Sequence, residues 1–251
     1  MVKVKFIADS KEFLDIALPW KPKPASYHKP KWLKDMKLYV NDIKTIDVHG
    51  DPTSTMRKCV PVSDSMKSGY HIYLPCDVWV HNNNGNIKLQ WSWKGMEFAT
   101  VQRKDQYQTY PIPEGYSDFV FKWLNHWIVR TPRNWSCLFT HPMHTDELPF
   151  RCLPAMVDTD KYPTPVHFPF LLKKDFEGLI RQGTPIIQVI PFKREKFISE
   201  YSYDKDFKLA KIWKRVQTSF FDRYSNNFHT KKDFSEGGES KCPFAFLHPK
   251  K

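Results

Sequence analysis

Proline sets the first constraint on what this chain can fold into. Twenty prolines stand against nine glycines in 251 residues. Proline lacks the N–H that a helix interior or a central strand donates, and it holds its predecessor in extended backbone. Between positions 70 and 192 the apolar segments are short, and Pro142, Pro149, Pro163, Pro165 and Gly183 separate them. The segments so bounded, 136–140, 153–158, 166–172 and 185–192, read as strands at near-regular spacing. Many short strands with stiff turns predict a mainly β fold of the sandwich or jelly-roll kind.

The clearest local signal lies in 70–93. Ile72, Leu74, Cys76, Val78 and Val80 alternate to one face, with Tyr73, Asp77, Trp79 and His81 on the other. A turn around Gly85 follows, and alternation resumes with Leu89, Trp91 and Trp93. Period-two patterning across such a turn predicts a β-hairpin. A further strand is expected at 96–102. The aromatic run 119–129 suits a buried strand or a helix; Trp127, Ile128, Val129 and the stop at Pro132 favour strand.

The flanks differ. Residues 5–8 read as a short strand followed by a polar turn. Residues 17–34 carry four prolines and read as an extended arm, with Trp20, Tyr27 and Trp32 as anchors and one or two helical turns at 31–37. Residues 204–224 read as a helix. Phe207, Ala210, Ile212, Trp213, Val216 and Phe220 recur at helical spacing. Asp204 and Asp206 sit where a helix dipole favours acid, and Lys208, Lys211, Lys214 and Arg215 make the other faces basic. The expected organisation is a strand and arm over 1–39, a β-sandwich core over 40–197, and a helix and tail over 198–251, in one structural domain.

Composition narrows the function. Hydrophobic residues make up 41% and aromatics 16%, enough for a real core and against whole-chain disorder. The formal charge of +12 attracts phosphate, anionic lipid or an acidic protein surface without choosing among them. No apolar run is long enough to span a bilayer. The first residues lack a signal-peptide core, so the chain is not expected to be secreted. The five cysteines form no C-x-x-C pair; Cys76 and Cys137 lie in apolar runs and read as buried thiols. Cys137 beside His141 is no convincing nucleophile, because an apolar setting raises a thiol's pKa. Nucleophile-elbow, Walker and dinucleotide-binding loops are absent.

Two stretches resemble known families. Pro132-Arg133-Asn134, Val157-Asp158-Thr159-Asp160 and Gly183-Thr184-Pro185-Ile186-Ile187-Gln188-Val189 follow the order of segments in the deoxyuridine-triphosphate nucleotidohydrolase (dUTPase) fold. That resemblance covers about a quarter of the chain. It implies a jelly-roll core, Asp158 as the water-activating carboxylate, Gln188 and Arg133 at phosphate, Mg²⁺ as cofactor, and a homo-oligomer. Departures accompany it: Asn134 replaces the phosphate-contacting serine, Lys161 and Pro163 disturb the segment after the aspartates, and the Gly-rich arginine motif is missing. Most of residues 20–197, including RKCVPVSDSMKSGYHIYLPCDVWV, SCLFTHPM and GTPIIQVIPFKRE, resembles a protein family of tailed, T4-like marine phages. That resemblance implies a phage or host-shared origin, with the chain in the cytoplasm of an infected host cell or in a virion, and brings no activity with it.

Other motifs are shorter. His144-Thr145-Asp146 supplies two of the three ligands of a facial Fe(II) triad, as in 2-oxoglutarate oxygenases, with His229 as the distal histidine. His167 lies too near for that layout. A loop histidine capping a turn is the plainer reading, as surface histidines are for His141 and His144. Trp79, Trp91 and Trp93 suit ring stacking on a ligand or aromatic core packing. Lys208, Lys211 and Arg215 suit phosphate contact or simple solvation.

The sequence thus favours a non-catalytic phage protein, a binding or virion-associated module without cofactor. Its arm and basic helix would meet a protein partner or a second copy; an acidic surface or nucleic acid also fits, and membrane insertion is not expected. A nucleotide hydrolase with Mg²⁺ and an Fe(II) oxygenase are the alternatives.

Overall fold

The computed structural model describes residues 2–47, 50, 52–83, 85–217 and 221–234. Phe220 and Cys242 lie outside them. The chain is mainly β, with several antiparallel sheets, and divides into two compact units: Met1–His28 with Ser68–Arg194, and Lys29–Lys67 with Glu195–Lys251. In chain order the elements begin with β1 (Lys5–Ala8), α1 (Lys11–Ala17), β2 (Lys23–Pro24), α2 (Lys31–Asp35), α3 (Val60–Lys67), β3 (Tyr70–Tyr73), β4 (Val78–Asn83), β5 (Asn86–Trp91) and β6 (Ala99–Val101). There follow β7 (Tyr116–Trp123), β8 (Trp127–Arg130), β9 (Trp135–Thr140), β10 (Phe150–Cys152), β11 (Ala155–Val157), β12 (Phe168–Lys173), β13 (Gly178–Ile180), β14 (Pro185–Lys193), α4 (Lys208–Gln217) and α5 (Arg223–Asn227).

The first unit holds all the strands of the described residues. β11-β9-β14-β3-β2 form a five-stranded sheet and β10-β12-β7-β6 a four-stranded one. Phe139 of β9 stacks on Phe168 of β12 with ring centroids 5.5 Å apart. The Cys152 thiol of β10 donates to the Ile186 carbonyl of β14 at 2.9 Å. These contacts set the two sheets face to face. Behind them Trp123 stacks on Phe170 at 4.2 Å and meets Phe150 edge-on at 5.3 Å. Each buried aromatic of this kind contributes roughly 1.5–3 kcal/mol over its exposed state.

The Tyr70–His81 alternation, read as one hairpin strand, serves two sheets. β3 pairs with β14 in the five-stranded sheet, whereas β4 pairs with β5 and β13. Pro75 stands between them and has no N–H for a continuous ladder. The inward face continues across the break, and Ile72, Leu74, Cys76, Val78 and Val80 are all buried. The hairpin itself runs in register from Val78↔Trp91 to Asn83↔Asn86. The 119–129 run is likewise two strands. Between β7 and β8 the buried Asn125 accepts from the Trp127 N–H at 3.0 Å and donates to its carbonyl at 2.7 Å. A side-chain amide there takes the place of ladder bonds.

The polar turn expected after β1 is instead the short helix α1. Ser10 caps it by accepting from the Phe13 N–H at 3.1 Å, and Phe13 and Ala17 bury one face. The arm adds β2 to β3 and buries Ala25. Trp20 lies against Gly183, where a Cβ would come within 2.3 Å of the indole and where φ is +78°. Only glycine admits both. Tyr27, expected to anchor the arm, is exposed.

In the second unit, the helix expected over 204–224 is α4 alone, followed by the separate short α5. The Asp204 carboxylate accepts from the N–H groups of Lys208, Leu209 and Ala210, so the helix starts at Lys208 rather than at the aspartate. Among the described residues, no helix is long and apolar enough to cross a membrane.

Candidate functional site

The densest polar constellation of the first unit lies where β9, β11 and β14 end together. Ser136 on β9 and Asp158 just past β11 are neighbours because Val157 pairs with Cys137, and Phe192 of β14 pairs with Ser136 from the other side. The Ser136 hydroxyl donates to Asp158 Oδ1 at 2.7 Å. Arg194 follows β14 and reaches back across this edge. Its Nη1 donates to Asp158 Oδ1 at 3.1 Å, to Ser136 Oγ at 2.8 Å and to Asp160 Oδ1 at 2.9 Å, and its Nη2 donates to Asp160 Oδ2. The Asn134 N–H adds a bond to Asp160 at 2.9 Å.

The two aspartates differ. The Asp160 side chain is enclosed, at 4% exposure, whereas that of Asp158 is 58% exposed. The Arg194 hydrogen bond, helped by the Asn134 N–H, holds the Asp160 carboxyl down to about 2. Asp160 and the guanidinium form a two-pronged clamp, the strong geometry for this pair. Asp158 has one oxygen taken up by the clamp, and its Oδ2 takes no bond from any described residue.

Gln188, paired with Asp158 in the family resemblance, lies elsewhere. It is buried in mid-β14, opposite Thr140 and His71. The Met143 N–H donates to its Oε1 at 2.9 Å, and its Nε2 donates to the Ser68 carbonyl at 2.7 Å. Four positions separate it from Phe192, roughly 13 Å along the strand. Arg133 is exposed on the β8–β9 loop. Asp158 and Arg133 thus share one edge, and Gln188 does not join them. Nor do the carboxylates fit Mg²⁺, because Arg194 already provides their cation and occupies both.

The histidines divide similarly. His144 sits in the turn after β9 with φ +61°, and Asp146 is exposed, its carbonyl accepting from Lys173 Nζ at 2.8 Å. His229 belongs to the second unit, where its Nε2 meets Asp64 at 3.1 Å. Among the described residues, no three His, Cys, Asp or Glu side chains gather as a metal-binding group. His141 is pinned. The Cys152 N–H donates to its Nδ1 at 3.3 Å, so Nε2 carries the proton and faces Thr145 Oγ1 at 3.3 Å. Burial pushes His141 down to about 4 and His71 to about 3. Burial raises the Cys137 thiol to about 11 and Cys76 to about 12, which leaves little thiolate for nucleophilic work.

The three tryptophans do not make one platform. Trp79 and Trp93 are exposed. Trp91 faces the core, donates to the Met96 carbonyl at 2.8 Å and meets Phe98 edge-on. Lys208 and Lys211 are exposed on α4; Arg215 lies on the same helix, its side chain outside the described residues. A cleft of about 490 Å³ in the second unit runs between 52–61 and 222–225. It is crossed by the Lys58–Asp222 ion pair at 2.9 Å, with Lys58 also over the Tyr39 ring.

Arg194 and Ser136 were not singled out in the sequence. Their signal was faint: a Lys-Arg-Glu run closing the last strand, and a serine at the start of another. The chain matches no protein-family model and no curated protein.

Proposed function

We propose that the chain is a non-catalytic binding protein with a basic surface, phage-encoded and virion-associated, on a jelly-roll core of the dUTPase type. One observation carries the reading. The groups best suited to chemistry are spent on structure: Arg194 bridges Asp158 and Asp160, and both ends of the Gln188 amide hold backbone. What remains exposed includes the lysines of α4 and aromatics such as Trp79, Trp93 and Trp213, a surface that suits an anionic partner. Thermal shift and pyrophosphate release with a deoxynucleotide panel and Mg²⁺ test the claim. No shift and no release are expected; turnover abolished by Asp158→Asn would sink it. Proteins of purified particles should include this chain, and its absence there would remove the virion-associated version.

A nucleotide-hydrolysing reading is second, on the strength of an exposed Asp158 and an exposed Arg133 at the same end of the sheet. It requires Arg194 to release one carboxylate when substrate arrives. Turnover that rises in Arg194→Gln would favour it.

A further inference from the structure

Helix α4 carries ten residues, KLAKIWKRVQ, with Lys208, Lys211, Lys214 and Arg215 and no carboxylate. Leu209, Ile212 and Trp213 recur at i, i+3 and i+4, so they share a face, and all three are exposed, Trp213 at 62%. The helix is well founded despite that exposure, because Asp204 satisfies three of its first N–H groups. Lys208 Nζ pairs with the exposed Asp206 at 3.1 Å. The segment leading to the helix is also unburied: Tyr201 is 93% exposed and Tyr203 76%.

We infer that α4 and the segment before it form an anionic-lipid surface anchor, the apolar face lying in the headgroup boundary and the lysines over it. The inference rests on reading the chain as a binding module, and it names that module's partner. A helix with an all-cationic polar side and Leu, Ile and Trp opposite has the composition of helices that lie in a membrane interface. Tyrosines that are half apolar and half polar suit the same boundary. A second copy is a poor occupant, since pairing the apolar faces would leave the lysines of both helices without an anionic partner, whereas an anionic lipid surface meets both faces at once. Nucleic acid would use the lysines and leave the apolar face in water.

Flotation of the full chain with vesicles of phosphatidylcholine alone, or with a quarter phosphatidylserine, tests this. Binding to the serine-containing vesicles is expected, weakening with salt. Lys208→Gln/Lys211→Gln/Lys214→Gln should weaken it roughly a hundredfold, at about 1 kcal/mol per lysine near the surface. Ile212→Glu should abolish it. These positions are exposed, so the fold survives substitution, and circular dichroism verifies that. Brominated lipid should quench part of the tryptophan emission, and Trp213→Phe should remove that part. No flotation at low salt overturns the inference. So does flotation indifferent to Ile212→Glu, which would mean charge alone; so does a change of oligomeric state in Ile212→Glu, which would mean a second copy, or tight salt-dependent nucleic-acid binding without lipid binding. None of these bears on the nucleotide assays, so the non-catalytic reading stands or falls separately.

Discussion

Trp123 and Trp213 are the same side chain in opposite settings. Trp123, on β7, is wholly buried between Phe150 and Phe170; Trp213, on α4, is 62% exposed. Around Trp123 the neighbours are apolar and come from strands far apart in sequence. Around Trp213 the residues a turn back are Leu209 and Ala210 of its own helix, themselves exposed. The contrast teaches that aromatic content in this chain does two jobs. In the first unit it builds the interior, and on α4 it is kept at the surface.

Acid should separate the two regions most sharply. His71 and His141 are neutral in the fold, with pKa values lowered to about 3 and about 4, and titrate near 6.5 when exposed. The unfolded chain therefore binds protons first as pH falls. The stability they contribute is whole above pH 6.5 and drains below it, down to about 4 for His141 and about 3 for His71. Each removes about 1.4 kcal/mol per pH unit in that window. Denaturant unfolding of the β unit between pH 7 and 4.5 should show that slope, and His71→Phe should roughly halve it; an unchanged slope would discard the assignment. α4 holds no histidine, so its helicity should not follow this titration.

Next in size, Trp123→Ala should cost about 3–5 kcal/mol, as large-to-small changes in a packed core do. Chemical denaturation measures this, and a cost below about 1 kcal/mol would mean the interior is looser than the stacked rings indicate. Arg194→Met should lower the melting temperature by less. It strips the enclosed Asp160 of its cation, and the Asp160 carboxyl should rise from about 2 toward its ordinary 3.8. In the native chain the clamp's contribution is complete above pH 3.8 and is lost as pH falls toward 2. Carboxyl NMR titration of both proteins reads the difference directly, and an Asp160 that stays low without Arg194 would refute the clamp. Smallest of all, Trp213→Ala should change stability by no more than about 0.5 kcal/mol. A larger loss would show that α4 is docked after all and that the contrast with Trp123 is false.

Much of the β unit was legible because strand alternation is a local property. Ile72 to Val80 predicts its buried face from one residue type in every two, and that face holds even where Pro75 hands the chain from one sheet to another. The acids near the start of the helical stripe were legible for the same reason, but Asp204 was read as part of the helix and instead stands ahead of it, accepting from the N–H groups of Lys208, Leu209 and Ala210. Short α1 was missed, since Ser10, Phe13 and Ala17 make only about two turns' worth of pattern. The site was least legible. Asp158 and Gln188 stand in the order of a hydrolase family, yet only coordinates show that Gln188 points into backbone carbonyl and amide while Arg194 covers the aspartates.

By itself the sequence determined short strands, a hairpin within 70–93, buried thiols at Cys76 and Cys137, and a basic amphipathic helix within 204–224. These follow from periodicity and proline placement, each readable within a few residues. Tertiary structure alone decided which sheet each half of 70–81 joins, that Arg194 closes on carboxylates 36 and 34 positions away, and that Trp123 is enclosed while Trp213 meets water. Such outcomes depend on which distant segments meet once sheets close, and no local pattern of residues encodes that.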